Sequence, residues 1–302
     1  MKKMRFVISA GLFLILAIFA VSCEKNELSP ATASLSEEEI TLAKDDIVAD
    51  DIFDDVDAVV TSEIRLLEEN NYQPTTLKST DEDFTCLVVT VDYPDSTRFP
   101  KVITMDYGEG CTFIIHDDTI TKKGAMVITL TDKFFNPGAQ HIVTFQDYFV
   151  NDVKVEGIIT STFVGVNENE LLEYTLTVEG GKLIYDESTV YTREARHKKE
   201  WLRSPEPIED TIYISGSMWG VNIEGEDYSR EITVPLILAH CPSYGRRWVI
   251  VDGQVVSTVG DQQTVIDYSD GSCDGTAVIR REGAQHRIRI RERHRNRNHT
   301  GK

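Results

Sequence analysis

The 302-residue chain holds 50 aspartate and glutamate side chains against 31 lysine and arginine side chains, which gives a net charge of −19 at pH 7. This acidic balance excludes a protein that binds nucleic acid through a broadly basic surface. Hydrophobic residues make up 41% and aromatic residues 9% of the chain, so disorder is excluded over most of its length and a sizeable core is expected.

The first residues have the pattern of a secretory signal. Lys2, Lys3 and Arg5 precede an uncharged apolar run over residues 6–21. Sixteen residues of helix span roughly 24 Å, which is shorter than a bilayer core of about 30 Å. The pattern therefore predicts a signal peptide over residues 1–22 rather than a membrane-spanning helix.

Cys23 ends this apolar region and is followed at once by charge. Together with residues 20–22 it resembles the lipobox of bacterial lipoproteins, although Ala20 stands where that motif prefers leucine. The resemblance implies that Cys23 carries acyl chains such as palmitate, which suffice for stable anchoring, whereas a cleaved secreted protein is the alternative. Residues 23–35 read as a flexible tether. Glu24 after the cysteine implies, by analogy with Gram-negative sorting, an outer-membrane lipoprotein on either the periplasmic or the surface face.

Residues 36–72 predict one amphipathic acidic helix. Ser36 and Glu39 have the spacing of a capping box, and apolar residues then recur at helical spacing. The stretch DDIVADDIFDDVD contains enough carboxylates for a calcium loop, but its acids alternate with apolar residues at helical period and no central glycine is present. The pattern favours a solvated acidic face.

From residue 84 onward the apolar pattern changes to a period of two, in short runs separated by turn residues. The fold class predicted is mainly β, with antiparallel strands in an extended sheet or sandwich preceded by the N-terminal helix. Residues 192–210 interrupt the rhythm, so two β lobes are expected, over residues 84–202 and 203–291. Residues 292–302 form a basic tail.

Four cysteines besides Cys23 predict two disulfides in an exported chain. A hairpin centred on residues 94–100 would place Cys86 and Cys111 nearly opposite each other. Cys241 and Cys273 are then paired by elimination, and they fit a hairpin less well. A zinc site is disfavoured because the cysteines are isolated rather than in close pairs.

Two related elements, MDYGEGC ending at Cys111 and IDYSDGSCDG around Cys273, follow strand-like sequence. With the acidic helix after the lipobox and the segments FFNPGAQ and YFVNDVKVEG, they resemble uncharacterised cell-envelope lipoproteins of Bacteroidota. The resemblance covers most of residues 20–291 and implies architecture and location; it carries no activity.

The acids of these two elements could bind calcium, but the pattern favours turns in which they accept backbone hydrogen bonds. No metal site and no cofactor is therefore predicted. The calcium candidates are Asp106, Glu109, Asp267, Asp270 and Asp274.

Neither Ser217 nor any histidine lies in a hydrolase motif, so no catalytic residue is predicted. Four aromatic residues could form a glycan platform on the sheet, although their scattered positions favour the core and cross-strand pairs. These are Trp201, Tyr213, Trp219 and Tyr228.

The C-terminal arginines alternate strictly, so an extended chain would show them all on one face. Ile288 and Ile290 lie between them, which predicts a last strand that buries isoleucine and exposes arginine. A solvated arm is one interpretation; contact with a polyanion, whether envelope phosphate or the acidic helix, is the other. The arginines are Arg287, Arg289, Arg291, Arg293, Arg295 and Arg297.

The sequence thus predicts a lipid-anchored cell-envelope protein, held to a membrane through its anchor, that serves as a non-catalytic binding or structural module. An envelope polyanion or a glycan is the expected ligand class. The alternative is a surface-exposed hydrolase acting on glycan or peptide, which would require a cleft with convergent titratable groups.

Overall fold

The computed structural model describes residues 34–73, 86–93, 97–115, 118–241, 248–268 and 270–290, and all of these belong to one compact unit. The predicted signal peptide, Cys23, nearly all of the tether and the basic tail over residues 292–302 lie outside the described residues. Within these ranges, no helix combines the length and the apolar character needed to cross a bilayer.

One long helix, α1, runs over Glu37–Glu69 and confirms the predicted helix. Its start is stabilised by the predicted capping box, in which the Ser36 backbone N–H donates to the Glu39 carboxylate at 2.7 Å and the Glu39 N–H donates to Ser36 Oγ at 3.2 Å. Asn70 ends the helix, and its side chain donates a hydrogen bond to the Leu66 carbonyl at 2.8 Å.

Fourteen strands follow among the described residues, and all their pairings are antiparallel, so the predicted mainly β fold is confirmed. Their bounds are β1 Val88–Val91, β2 Lys101–Asp106, β3 Cys111–Ile115, β4 Asp118–Leu130, β5 Gln140–Val150, β6 Val153–Val166, β7 Leu172–Ile184, β8 Val190–Leu202, β9 Thr211–Val221, β10 Asp227–His240, β11 Trp248–Val259, β12 Gln262–Asp267, β13 Thr276–Arg281 and β14 Ala284–Arg289.

The strands form a single meander in which each pairs with the next along the chain, from β4 to β14. At the start of the sheet, β2 pairs with the second half of β4 and β3 pairs with its first half, so the DYGEG turn lies between two strands that share one partner. The short connections between strands explain this order, because hairpins join antiparallel neighbours directly.

The sheet is continuous across the boundary that the sequence suggested between two lobes. The segment 192–210, which looked like a break, contains most of β8, and β8 pairs with β9 from Glu194 opposite Trp219 to Leu202 opposite Thr211. The described strands therefore belong to one sheet.

The inner face of this sheet wraps around α1. Side chains of the helix contact β4 through Lys122 and β13 through Arg281, which belong to opposite ends of the strand order. In the middle of the helix, from Asp45 to Val60, no residue is exposed. The helix and the inward side chains of the sheet share one hydrophobic core.

Two glycines allow close contacts, one between the sheet and the helix and one between neighbouring strands. A Cβ at Gly181 of β7 would lie 3.1 Å from Cζ of Phe53 in the helix and 2.7 Å from the Arg193 carbonyl. Gly124 of β4 has φ of +76°, and a Cβ there would lie 1.9 Å from the Asp147 carbonyl oxygen at the β4–β5 register shift. Glycine at these positions lets the backbone and the helix pack without a gap.

Both predicted disulfides are present. Cys86 bonds to Cys111 with a Cα–Cα distance of 5.5 Å, next to the β1–β2 hairpin that the sequence indicated. Cys241 bonds to Cys273 with a Cα–Cα distance of 5.6 Å, so the end of β10 is joined to the connection before β13. The pairing left by elimination is therefore confirmed.

Candidate functional site

The interior of the molecule contains a charged network between the helix and the inner face of the sheet. At its centre, Asp50 of α1 lies between two arginines. Arg193 Nη1 of β8 donates to Asp50 Oδ1, and Arg230 of β10 donates to the same oxygen at 2.9 Å, with its Nη2 2.7 Å from Oδ2. All three side chains are buried. One carboxylate thus neutralises part of the charge of two guanidinium groups.

These arginines determine the ionisation of Asp50. Burial alone would raise its pKa, but the charges of Arg230 and Arg193 and their hydrogen bonds outweigh burial and hold the pKa below its ordinary value. Asp50 therefore remains a carboxylate within the core.

One helical turn earlier, Asp46 is held mainly by neutral donors. Tyr191 Oη donates to it at 3.1 Å and Ser257 Oγ at 3.0 Å, while Arg230 Nε lies 3.7 Å from its Oδ2. Burial raises the pKa of Asp46, and the charge of Arg230 only partly opposes this. The arginine thus stabilises Asp50 more strongly than it stabilises Asp46.

The next part of the network surrounds Asp57. Lys199 Nζ of β8 donates to Asp57 Oδ2 at 2.9 Å, and His141 Nε2 of β5 lies 3.3 Å from Oδ1. Burial would raise the pKa of Asp57, but Lys199 and His141 outweigh it and the pKa is lowered. Asp54 lies 3.8 Å from Lys199, and burial raises its pKa to about 6. Lys199 therefore favours the ionised form of Asp57 over that of Asp54.

Two further ion pairs join the helix to distant strands. Lys122 Nζ of β4 donates to Asp55 Oδ2 at 2.5 Å, and Arg281 Nη1 of β13 lies 3.0 Å from Glu39 Oε1. These contacts lie beside the central network, so acidic side chains along much of the helix pair with basic side chains of the sheet.

His197 is a buried base with an unusual setting. It points inward from β8 between Arg193 and Lys199, and neither ring nitrogen has a hydrogen-bond partner among the described residues. Burial, reinforced by the positive charges of Arg193 and Lys199, lowers its pKa to about 3. His197 is therefore neutral at ordinary pH.

The prediction of a solvated acidic helix face is wrong. Asp45, Asp46, Asp50 and Asp57 are buried, and the basic side chains that pair with this face come from strands far along the sequence. A helical period in the sequence identifies faces but does not identify what covers them.

Sequence reasoning also missed the basic partners of the helix. A signal was present in TREARHKKEW, where the inward positions of β8 alternate as Arg193, Ala195, His197, Lys199 and Trp201. A strand with basic residues on its inner face, in the same chain as a helix rich in aspartate, indicates a buried ionic interface.

Of the residues singled out from the sequence, the four paired cysteines are in the disulfides described above. Cys23 and the arginines at 291, 293, 295 and 297 lie outside the described residues. Ile288 and Ile290 are buried whereas Arg287 and Arg289 are exposed, which confirms the predicted alternation in β14. Arg287 lies 3.6 Å from Asp274 and donates to Thr276 Oγ1 at 3.2 Å.

The calcium candidates make local contacts. Asp106 accepts a hydrogen bond from the Gly108 N–H at 2.8 Å, Asp274 accepts from the Thr276 N–H at 2.9 Å, and Asp267 pairs with Arg280. These are the turn contacts that the sequence favoured for Asp106 and Asp274. Within the described part of the chain, no group of three or more acids, histidines or cysteines could hold a metal ion.

The aromatic candidates divide between the core and the surface. Trp201 and Tyr228 are buried, as predicted, but Trp219 is 38% exposed, so its assignment to the core is wrong. The reason is the strand alternation: Met218 points inward between Ala195 and Arg230, which directs Trp219 to the outer face.

Trp219 borders a depression of about 570 Å³ on the outer face of β9–β12. Seven of the ten residues that line it have polar side chains, including Ser217, Ser229, Glu231 and Thr258, but apolar atoms supply most of the lining surface. A second, smaller pocket of about 120 Å³ lies between the helix and β10–β11, where Asp51 and Asp54 meet apolar residues. The outer depression is the larger of the two and falls within the size range of ligand sites.

Comparisons with protein-family models, with curated proteins and with solved structures find no match for this chain.

Proposed function

We propose that this chain is a lipid-anchored protein of the cell envelope that serves as a non-catalytic binding or structural module. Support for the anchor comes from the basic residues before the apolar run, the length of that run and the position of Cys23 at its end. Glu24 supports an outer-membrane location. Residues 24–35 could extend by at most roughly 40 Å, so the folded part would stay near the membrane.

The observation that carries the non-catalytic part of the proposal is the sharing of Asp50 by Arg193 and Arg230. General acids and bases must reach a substrate, and nucleophiles need an adjacent base that is free to accept a proton. Here Asp50, Arg193 and Arg230 are buried and paired with each other. Their charges are directed at one another rather than at a cleft that a substrate could enter.

The anchor is tested by replacing the lipidation site. Cys23→Ser should abolish labelling with a fatty-acid probe and move the protein from the membrane fraction to the soluble fraction. Ser29→Ala, in the same tether, is the matched control and should label like the parent chain. A Cys23→Ser protein that still labels would end the lipoprotein proposal.

We also propose that the C-terminal arginines contact a polyanion of the envelope. Arg287 and Arg289 expose their side chains on β14, and the alternation continues through Arg291, Arg293, Arg295 and Arg297 in the sequence. Guanidinium groups bind phosphate bidentately, and a cluster is needed because single exposed pairs contribute only about 0 to 1 kcal/mol.

A further inference from the structure

We propose that the depression beside Trp219 binds a neutral glycan, with a pyranose ring stacked on the indole. This inference rests on the proposed function, since it names the ligand class and the surface of the binding module. Trp219 is 38% exposed on the outer face, whereas Trp201 is buried and Trp248 packs against His240 in a tilted arrangement with ring centroids 4.0 Å apart. An exposed indole offers a large apolar face and one hydrogen-bond donor, which suits a ligand with both apolar and polar surfaces.

The strand register places hydrogen-bonding groups in rows beside the indole. Trp219 lies opposite Ser229, which lies opposite Thr258, and the row ends at Gln263 of β12. Because neighbouring strands are about 4.8 Å apart, the distance from Trp219 to Thr258 is roughly 10 Å. The row is long enough for an extended ligand rather than a single small ion.

A second row runs parallel to the first. Ser217 lies opposite Glu231 on one side and opposite Arg196 of β8 on the other. The Arg196 guanidinium lies over the Trp219 ring, with its carbon 5.7 Å from the ring centroid. Hydroxyl, carboxylate and guanidinium groups therefore lie beside the ring and an amide lies at the far end of the first row, and together they can donate to and accept from sugar hydroxyls.

These groups are available for a ligand. Among the described residues, the side chains of Ser217, Ser229, Glu231 and Thr258 form no hydrogen bond or ion pair within the chain. Elsewhere in the sheet, comparable side chains such as Asp186 and Thr192 form hydrogen bonds in turns and strand contacts. The set around Trp219 therefore makes few contacts within the fold and lies in an open depression.

The depression lies beside an irregularity in β10. Pairing between β10 and β9 is interrupted between Glu231 and Leu236, and the β10–β11 register shifts on both sides of Val234. Pro235 lies in this segment, where it cannot donate to a ladder. Such a bulge bends the strand and re-aims its side chains, and Thr233 at its start lines the depression.

Charge and topology select a neutral glycan over other ligands. Arg230 also lines the depression, but its guanidinium is paired with Asp50 in the core. Glu194, opposite Trp219, and Glu231 then contribute two negative charges near the ring against one positive charge from Arg196, so a polyanion is disfavoured. An extended peptide would need an unpaired strand edge, but β9, β10 and β11 are paired on both sides. A polyhydroxylated, uncharged ligand satisfies both conditions.

The test uses the full chain in detergent and an array of neutral oligosaccharides built from glucose, galactose, mannose and N-acetylglucosamine. We expect binding to at least one of these, with an affinity at least tenfold weaker for Trp219→Ala and a smaller loss for Trp219→Phe. Tyr93→Ala is the matched control, because Tyr93 is also exposed and lies beside an arginine, with Arg98 4.5 Å from its ring centroid. It should bind like the parent chain.

A second readout follows the indole directly. A bound glycan should protect the parent protein from acrylamide quenching of tryptophan fluorescence, and this protection should disappear in Trp219→Phe. Absence of binding to the whole array, or equal binding by Trp219→Ala and the parent chain, would overturn the glycan site.

Failure of the inference can be distinguished from failure of the proposed function. Shortened oligosaccharides in the binding mixture would overturn the non-catalytic proposal while leaving the Trp219 site in place. Continued fatty-acid labelling of Cys23→Ser would overturn the anchor proposal and would likewise leave the glycan measurements unaffected.

Discussion

Arg193 of β8 and Asp50 of α1 are 143 positions apart in the chain and form a buried ion pair inside the sheet. Arg230 completes the arrangement from β10, so one helical carboxylate ties together two strands. Removing one partner of a buried charge group is costly because the remaining charge loses both its partner and its solvent.

Asp50→Asn should therefore destabilise the protein by about 3–5 kcal/mol, since two guanidinium groups would remain buried without their shared counter-charge. The midpoint of urea unfolding measures this, and Glu38→Gln at an exposed position of the same helix should change stability little. A loss below about 1 kcal/mol for Asp50→Asn would contradict the role assigned to this carboxylate.

Replacing the whole group should be tolerated better than removing one member. A triple variant, Asp50→Leu with Arg193→Met and Arg230→Met, exchanges the buried ions for apolar side chains of similar reach. Such exchanges are neutral or stabilising in other buried ion groups, so we expect the triple variant to be more stable than Asp50→Asn alone. If the triple variant is the weaker of the two, the ion group itself stabilises the fold.

His197→Phe should reveal a dependence of stability on pH. The unfolded imidazole binds a proton below its ordinary pKa of about 6.5, whereas burial beside Arg193 and Lys199 keeps the folded form neutral down to about pH 3. Between these values the unfolded state binds more protons, so the parent chain loses stability as the pH falls, and the Phe variant lacks this loss. The difference between the two should grow by roughly 1.4 kcal/mol per pH unit below 6.5.

Urea unfolding of both proteins from pH 8 to pH 5 provides the measurement. The raised pKa of Asp54, about 6, has the opposite effect on stability over part of this range, but it is present in both proteins and cancels in the difference. His286→Phe, at an exposed position of β14, controls for the exchange of a histidine for phenylalanine outside the network. A flat difference for His197→Phe would show that its imidazole is not kept neutral by the fold.

The disulfide between Cys86 and Cys111 closes a segment of 25 residues that includes β1 and β2. Replacing both cysteines by serine should cost about 3 kcal/mol, the value expected for a loop of this size. Thermal unfolding under non-reducing conditions measures the loss, and mass spectrometry of the non-reduced parent chain should find the linked peptides. A free thiol at either cysteine in oxidised material would contradict the pairing.

Deleting residues 292–302 should weaken binding to vesicles that contain phosphatidylglycerol at low salt, and the difference should shrink as salt is added. Replacing Arg287 and Arg289 by glutamine tests the part of the arginine row that lies on β14. The unfolding midpoint of each variant should stay close to that of the parent, because these side chains are exposed. If the full and shortened chains bind equally at low salt, residues 292–302 do not contact the polyanion and this proposal is wrong.

The strands whose inward residues are apolar could be predicted from the sequence. In β2 and β4, alternating residues such as Ile103, Met105, Met126 and Ile128 are buried on one face, and hydrophobic periodicity detects such strands directly. In β8 the inward residues include Arg193, His197 and Lys199. Burial alternates with the same period of two, but hydrophobicity does not, so hydrophobic periodicity could not detect this strand. Both this strand and the acidic helix have local patterns that are interpretable only when their partner is known.

The depression at Trp219 was equally inaccessible to sequence reasoning. Its residues come from separate strands, and only the register brings Ser229 and Thr258 into line with the indole. The register shift beside it, near Thr233, depends on how β10 pairs with its two neighbouring strands. The spacing of aromatic residues along the chain indicates neither the strand register nor the pairing of β10.

The enclosure of α1 by the sheet has a consequence for the order of events during synthesis. The helix is made before every strand, but Asp50 meets Arg230 only 180 positions later and Asp46 meets Ser257 only 211 positions later. Contacts this distant in the chain slow folding, because a long segment must be closed before any of them forms. A nascent chain that ends before β10 therefore carries an acidic helix without Arg230 and Arg281, two of the five lysine and arginine side chains that pair with it among the described residues. The core can consolidate only when the last quarter of the polypeptide has been added.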